Sequence, residues 1–181
     1  MNVIPCELNG PLIIEPKVFG DSRGFFVESW NQARYRQAGI PFDFVQDNFS
    51  FSCRGTLRGM HAQNPRPQGK LVSVWQGEVW DVVVDIRRQS PTFGRWVGVT
   101  LSAENKRQFW VPPGFAHGFV VTSDTALFHY KCTETYAPKD EIGFRFDDPA
   151  VGITWPGEKP LLSARDSSAP LLRELPADRL F

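Results

Sequence analysis

Residues 70–86 read KLVSVWQGEVWDVVVDI, two runs rich in β-branched and aromatic residues that are separated by Gln76-Gly77. Valine, isoleucine and tryptophan favour strands, and a glycine-containing dipeptide between two such runs marks a turn. The stretch therefore predicts two strands, 70–75 and 78–86, joined by a tight connection.

The same pattern of short apolar runs between turn formers continues in both directions. Downstream, further strands are predicted at Arg95–Leu101, Gln108–Val111, Phe115–Val121 and Ala126–Thr133. Upstream, the sequence predicts strands around Leu12–Val18 and Phe42–Ser52, and a short helix near Glu28–Gln37. An all-β order of this kind favours a barrel or a jelly roll over a parallel sheet.

Length and composition predict one domain. The chain has 181 residues, of which 41% are hydrophobic and 13% aromatic, which is enough for one well-buried core. We expect a single domain, 1–181, made of an N-terminal segment (about 1–50), a barrel core (about 51–150) and a C-terminal segment (151–181). The last segment is rich in proline, leucine and charge, which predicts irregular coil with short helical turns. It should pack on the barrel because four leucines need cover: Leu161, Leu162, Leu171 and Leu172.

Charge and cysteine content exclude several classes of protein. Lysine plus arginine and aspartate plus glutamate number 20 each, so nothing indicates a surface for nucleic acid or for a membrane. The three cysteines are widely spaced and odd in number, which favours reduced thiols over a disulfide framework. The first residues lack a charged region followed by an apolar one, and no apolar run approaches the roughly 20 residues of a membrane helix. We therefore expect a soluble, cytoplasmic protein.

Two of the three histidines, His61 and His117, stand in glycine-punctuated strand ends, Leu57–His61 and Pro113–Phe119, which suggests one shared pocket. Three histidines also raise the possibility of a metal site. Metal-binding double-stranded β-helix proteins place two histidines at i and i+2 of one strand with a carboxylate soon after. Here His61 is followed by Ala62 and Gln63, so this spacing is missing and no metal site is expected.

On the strand Ala126–Lys131, alternation places Phe128 and Tyr130 on one face and His129 on the other. If the aromatic face is the interior, Tyr130 faces the pocket and His129 is an ordinary surface histidine. An inward tyrosine needs a hydrogen-bond partner or a role as a proton donor. For His61, spacing alone leaves a catalytic and a structural role open. Lys70 could equally be a charged residue that protects a sheet edge.

Several ordered motifs carry a more specific signal, and they cover about residues 19–166. They are Phe19–Glu28 (FGDSRGFFVE), Val45–Asn48, Leu57–His61 (LRGMH), Gln68–Val72, Val84–Arg87, Ser90–Gly94, Gly114–Phe119, Tyr130-Lys131 and Asp147–Pro149. In this order and spacing the chain resembles the dTDP-4-dehydrorhamnose 3,5-epimerase family. The resemblance implies an all-β jelly roll, the double-stranded β-helix of the cupins, with short helices and an irregular C-terminal segment.

The resemblance also implies a chemistry that needs neither metal nor cofactor. The family acts on a dTDP-sugar with a ketone at carbon 4, dTDP-4-dehydro-6-deoxy-D-glucose. Protons on carbons 3 and 5 flank the ketone, so a base can remove each while the ketone stores the charge as an enolate. An acid on the opposite ring face then returns a proton and inverts the centre, which gives dTDP-4-dehydro-L-rhamnose for L-rhamnose synthesis.

By resemblance, His61 is the base, oriented by Asp166, and Tyr130 is the acid, while Lys70 stabilises the enolate. Tyr136 matches an aromatic residue that stacks on thymine. The other matched substrate-binding positions are Arg23, Glu28, Gln46, Asp47, Asn48, Arg58, His117, Glu141 and Arg165. Because the family's segment around Arg23 crosses to a partner subunit, the resemblance implies a homodimer.

Two departures from the family pattern stand out: Ala62 replaces an aromatic residue after the base, and Arg165 replaces a frequent lysine. Three alternatives to the double epimerase remain. A single-centre epimerase, acting at carbon 3 or carbon 5 in a natural-product pathway, would keep the same catalytic residues. The others are a metal-dependent cupin using His61, His117 and His129, and a sugar-nucleotide binding module without catalysis.

Overall fold

The computed structural model describes residues 1–181 and is built almost entirely of strands. The strands are β1 (Asn2–Pro5), β2 (Leu12–Glu15), β3 (Val18–Asp21), β4 (Gly24–Val27), β5 (Gln46–Cys53), β6 (Leu57–Gln63), β7 (Lys70–Gln76), β8 (Glu78–Asp85), β9 (Trp96–Ser102), β10 (Gln108–Val111), β11 (Phe115–Val121), β12 (Thr125–Cys132) and β13 (Glu141–Gly143). The helices are α1 (Gln32–Gln37) and α2 (Ala164–Ser167), with 3-10 turns at Leu172–Glu174 and Ala177–Arg179. None of the helices has the length and apolar character needed to cross a membrane.

The strands form two packed sheets and one separate hairpin. One sheet has six strands in the order β1-β2-β10-β7-β12-β5, and the other has five in the order β13-β6-β11-β8-β9. The chain passes back and forth between the sheets, since β5, β7, β10 and β12 belong to the first while β6, β8, β11 and β13 belong to the second. This is the jelly roll that the sequence predicts. The hairpin β3-β4 stands apart from both sheets.

The main core fills the space between the sheets. Val72 and Val74 of β7 face Val79 and Val83 of β8 within one buried cluster. Across the gap the rings of Phe119 and Phe128 stack, with centroids 4.1 Å apart. Apolar side chains close this part of the interior, and the polar cavity described below lies beside the Phe119–Phe128 stack.

The outer faces of both sheets are also covered. Helix α1 places Tyr35 over Leu71 and Trp110 on the six-stranded sheet. The C-terminal segment covers the five-stranded sheet, where Leu172 joins a cluster that includes Phe144. The predicted cover for the leucines of this segment therefore holds for Leu172, which is 5% exposed. It is wrong for Leu161, which is 57% exposed because the chain there only bridges to Thr56 at the barrel rim.

All six core strands predicted from 70 to 133 are present, with bounds that differ by a residue or two. The predicted strand at 12–18 is two strands, β2 and the beginning of β3, and the predicted strand at 42–52 begins only at Gln46. The helix begins at Gln32 rather than Glu28, because Asn31 caps it by accepting a hydrogen bond from the Arg34 backbone N–H. Strands β1 and β2 complete the six-stranded sheet, so the barrel extends into the N-terminal segment.

The turn at Gly77 provides a test of how tightly the sheets are joined. Gly77 has φ +73°, and a Cβ there would lie 1.9 Å from the backbone oxygen of Thr125. Gly94 has a similar φ of +76°, but a Cβ added there would have no other atom within 4 Å. We expect Gly94→Ala to lower the free energy of unfolding by about 1 kcal/mol through backbone strain alone. Gly77→Ala should lower it by about 3 kcal/mol, because overpacking adds to the strain. Equal losses in urea unfolding would contradict this account.

Candidate active site

One cavity of about 560 Å³ opens between the two sheets, within the size range of small-molecule sites. It brings together seven of the residues that the sequence singles out: Arg58, His61, Lys70, His117, Tyr130, Arg165 and Asp166. The residues come from both sheets, with Arg58 and His61 on β6 and Lys70 and Tyr130 on the facing strands β7 and β12. A ligand in this cavity would therefore have one sheet on each side.

His61 and Asp166 form the closest polar pair in the cavity. The Nε2 atom of His61 lies 2.7 Å from Oδ1 of Asp166, which is 4% exposed. Because a carboxylate only accepts, Nε2–H is the donor, and Nδ1 has no hydrogen bond within the chain. Asp166 is held in turn by helix α2, whose cap Ser163 accepts a hydrogen bond from the Asp166 backbone N–H. Burial alone would raise the pKa of Asp166, but the hydrogen bond and charge of His61 and the hydrogen bond with Ser163 outweigh it and lower that pKa.

Tyr130 and Lys70 approach the cavity from the opposite sheet, and neither side chain has a hydrogen-bond or ion-pair partner within the chain. Burial raises the pKa of Tyr130, so its hydroxyl stays protonated at neutral pH. Lys70 is 9% exposed, and burial lowers its pKa despite the nearby Cys132, Glu141 and Asp81. Strand β7 lies between β10 and β12, which excludes the reading of Lys70 as a residue that protects a sheet edge.

His117 lines the same cavity beside β6, where it pairs in register with His61. Its Nε2 atom lies 2.9 Å and 3.0 Å from the two oxygens of Asp81, a carboxylate with no exposed surface. Sequence reasoning missed Asp81. The available signal was a single charge inside the apolar run Val79–Val84, where an unpaired carboxylate would be costly.

A smaller cavity of about 240 Å³ adjoins the first and shares His61, Lys70 and Tyr130 with it. It gathers four more of the predicted binding residues: Gln46, Asn48, Tyr136 and Glu141. The Tyr136 hydroxyl donates to Oε2 of Glu141 at 2.6 Å. Nη1 of Arg165 donates to the same oxygen at 2.8 Å, and its Nη2 forms an ion pair with Oε1. Burial alone would raise the pKa of Glu141, but these hydrogen bonds outweigh it and lower that pKa.

Three predicted binding residues do not reach the cavity of their own chain. The Arg23 side chain is 88% exposed and pairs with Asp21 on the β3-β4 hairpin. Glu28 pairs with Arg34 of α1, 2.8 Å away. Asp47 alternates with the cavity residues Gln46 and Asn48 along β5, so it points to the other face of the sheet.

There Asp47 accepts from the Nζ of Lys131 at 2.9 Å. The outer position of Asp47 follows from the two-residue period of a strand, which places neighbours on opposite faces.

His129 is not the surface histidine that alternation predicts. It does point away from the cavity, but it is only 8% exposed because the rings of Phe49 and Trp75 flank it. Its Nδ1 atom is buried without a hydrogen-bond partner. The three histidines therefore do not converge, since His61 and His117 line the cavity and His129 lies on the outer face of β12.

Sequence reasoning also missed the residues that shape the walls of the cavity. Phe119 and Phe128 line it as well as packing in the core, and Ser50 of β5 faces it with an unpaired, buried hydroxyl. The phenylalanines carry no signal that separates them from other core residues. Ser50 could have been placed by alternation, because it follows Gln46 and Asn48 at two-residue steps.

The burial of His129 predicts a pH dependence of stability. Burial lowers its pKa, with Asp47 raising it and Lys131 lowering it further. The unfolded chain then binds the proton more readily, so the folded state loses stability as pH falls through the unfolded value of about 6.5. We expect His129→Phe to gain stability relative to the unmodified chain, by an amount that grows from pH 7 to pH 5. Urea unfolding checks this, and a difference independent of pH would refute it.

Comparisons with known proteins agree with this geometry. The family model described as dTDP-4-dehydrorhamnose 3,5-epimerase matches residues 5–174. The chain is 57% identical over 168 residues to the enzyme of that name from Shigella flexneri, covering 92% of this chain and 93% of the relative.

Two solved structures extend the likeness to three dimensions. One is a dTDP-6-deoxy-D-glucose-3,5-epimerase from Legionella pneumophila Philadelphia 1 in complex with dTDP-4-keto-L-rhamnose, with TM-score 0.96, 55% identity and coverage of 99% and 96% of the two chains. The other is a 3'-monoepimerase from Streptomyces bikiniensis in complex with dTDP-quinovose, with TM-score 0.88, 37% identity and coverage of 94% and 87%. At such identity to the first, over nearly the whole of both chains, this chain belongs to the dTDP-4-dehydrorhamnose 3,5-epimerase family.

Proposed function

We propose that this protein epimerises carbons 3 and 5 of dTDP-4-dehydro-6-deoxy-D-glucose through an enolate, with His61 as base and Tyr130 as acid. The observation that carries the proposal is the position of these two side chains on opposite sheets, facing one cavity. Inversion of a carbon centre needs a proton removed from one face of the ring and returned to the other. A ring lying between the sheets would meet the base on one face and the acid on the other.

His61 is suited to the role of base. With Nε2–H donated to Asp166 at 2.7 Å, the Nδ1 lone pair is the atom free to accept a proton. The negative charge of Asp166 stabilises the imidazolium that forms, and its hydrogen bond fixes the ring orientation. Positioned proton transfer of this kind contributes about 10²- to 10⁴-fold to rate.

Tyr130 and Lys70 complete the reaction from the other sheet. A tyrosine kept protonated by burial can donate to the carbanion-like carbon, and it has no partner within the chain that competes for its proton. The Lys70 ammonium likewise has no ion pair to satisfy it, so it is free to stabilise the enolate oxygen. Loss of one such donor typically costs roughly 3 kcal/mol of transition-state stabilisation.

Arginines and an aromatic residue suit the nucleotide part of the substrate. Arg58 lines the larger cavity, and its guanidinium contacts only the Ser52 hydroxyl, at 3.2 Å and 3.3 Å. It therefore keeps donors for phosphate oxygens, which arginine forks bind well. Tyr136 beside the smaller cavity is 51% exposed, and it presents a ring on which thymine can stack.

A single-centre epimerase is the second candidate, because the same fold is found in a 3'-monoepimerase with TM-score 0.88. Proton NMR in deuterated water separates the two functions. We expect deuterium at both carbon 3 and carbon 5 of dTDP-4-dehydro-6-deoxy-D-glucose, with an inverted product. Deuterium at one carbon only would make the protein a single-centre epimerase, and deuterium at neither would sink both proposals.

Variants of the cavity residues should separate chemistry from binding. We expect His61→Asn and Tyr130→Phe to lower kcat by about 10²- to 10⁴-fold with little change in dTDP affinity. Arg58→Ala should instead raise KM, because it removes a phosphate contact. His129→Asn is the matched control, since that histidine lies outside the cavity. Full activity of Tyr130→Phe would remove the acid assignment.

We also propose that the protein is a homodimer in which the β3-β4 hairpin reaches the partner's cavity. The hairpin pairs with neither sheet, and Phe25 and Phe26 are 58% and 68% exposed on it. Apolar side chains this exposed on a lone hairpin favour burial against another chain. Arg23 and Glu28, which do not reach their own cavity, would then contact substrate bound to the partner.

Mixing two impaired variants, assayed at substrate concentrations below the KM of Arg23→Ala, tests this arrangement. Arg23→Ala should raise KM for the sugar nucleotide, and His61→Asn should lower kcat by about 10²- to 10⁴-fold. Mixed dimers of the two should regain part of the activity, because one of their two sites carries neither change. No recovery after subunit exchange, with a dimer seen by light scattering, would contradict the crossing.

A cytoplasmic location also belongs to the proposal. The three cysteines are free thiols, and the exposed Cys53 suits a reducing compartment. Cell fractionation with an antibody to the chain checks it.

A further inference from the structure

Asp81 is the one buried charge near the active site for which the proposed reaction has no use. It lies in the middle of β8, on the face that carries the core residues Val79 and Val83, and it has no exposed surface. A carboxylate in such a position is costly unless it is paired. Asp81 therefore needs a partner within the sheet interior that stabilises its negative charge.

That partner is His117. Asp81 and His117 are diagonal neighbours on adjacent strands, since His117 pairs with Val83 and Phe119 with Asp81. Both carboxylate oxygens lie within 3.0 Å of Nε2, so Nε2–H is the donor. The other ring nitrogen, Nδ1, has no hydrogen bond within the chain, and the ring lines the cavity. The Phe128 ring stacks beside it with centroids 6.1 Å apart, which further restricts its orientation.

The surroundings of His117 favour an anion. The other ionisable groups that face the cavity are Arg58 and His61 from β6, Lys70 from β7, Tyr130 from β12, and Arg165 and Asp166 from the C-terminal segment. Asp166 is engaged by His61, so Asp81 is the only carboxylate in contact with His117. A phosphate bound at Nδ1 would place a second negative charge opposite that of Asp81, and two anions flanking one imidazole favour N–H donors on both ring nitrogens. Burial raises the pKa of Asp81, and the charge and hydrogen bond of His117 and the charge of Lys70 offset only part of that rise.

We propose that Asp81 is a positioning residue that holds His117 with one N–H on its own carboxylate and a second N–H facing the cavity, where it donates to the diphosphate of the bound nucleotide. The inference rests on the proposed function, because it takes a nucleoside-diphosphate sugar as the ligand. Asp81 touches no ligand itself. It acts by fixing the orientation of the His117 ring and by stabilising the ring as a donor to the diphosphate.

Calorimetric titration of dTDP and of thymidine, each at pH 8, tests this role in Asp81→Asn. We expect dTDP to bind about 10- to 100-fold more weakly to the variant at pH 8, the usual effect of losing one charge-assisted contact. Thymidine, which lacks phosphate, should bind equally to both proteins. In steady-state kinetics the loss should appear mainly as a raised KM for the sugar nucleotide, because Asp81 acts on its binding through His117.

Two further variants keep the inference falsifiable if Asp81→Asn folds poorly. His117→Gln should show the same selective loss of dTDP affinity, and adding Asp81→Asn to it should change dTDP affinity no further. Unchanged dTDP affinity in either single variant, or equal weakening of dTDP and thymidine, would overturn the inference. A failure of the proposed function would look different: the unmodified protein would exchange no deuterium at carbons 3 and 5, whatever its affinity for dTDP.

Discussion

Face-to-face packing of the two sheets is the constraint on which everything else in this protein depends. Sheets in such a sandwich lie about 10 Å apart, so the side chains that point inward must either fill the gap or leave a cavity. Here the valines and the Phe119–Phe128 stack fill one part, and polar residues surround an opening in another. Because the site lies inside the sandwich, the sheets that stabilise the fold also set the distance between base and acid.

The cavity contains polar groups of two kinds, and the difference has a physical meaning. His61 and His117 each have a carboxylate behind them, so their rings are oriented before any ligand arrives. Lys70 and Tyr130 have no partner, although both are largely buried. Groups without a partner lower the stability of the folded state. Proteins keep such groups where a ligand supplies the missing contacts. The paired groups supply orientation, and the unpaired groups supply free donors.

Much of the fold could be predicted from the sequence because strand signals are local. The runs between 70 and 133 carry their own turn residues, and all six became strands. The bounds of α1 depended on the cap residue Asn31, which the apolar pattern does not reveal. Burial of His129 was missed for a different reason. Alternation correctly placed it on the outer face, but only the tertiary structure shows that Phe49 and Trp75 cover that face.

The site was predictable in chemistry but not in its supporting contacts. Motif order identified His61, Tyr130 and Asp166, which lie far apart in the chain. No local pattern links Asp81 to His117, because their contact arises from the register of two strands that are 36 positions apart. Arg23, Glu28 and Asp47 show the same limit, since a motif match gives a residue's identity and not the direction in which its side chain points.

The strict alternation of β12 has an evolutionary consequence. Tyr130 faces the cavity while its neighbours His129 and Lys131 face outward, and the strand is held on both sides by β5 and β7. An insertion or deletion of one codon within this strand would move every later residue of the strand to the opposite face of the sheet. The imidazole of His129 or the amine of Lys131 would then replace the phenol of Tyr130 in the cavity. Length variation among descendants of this gene should therefore concentrate in the connections, and the strand should diverge by substitution alone.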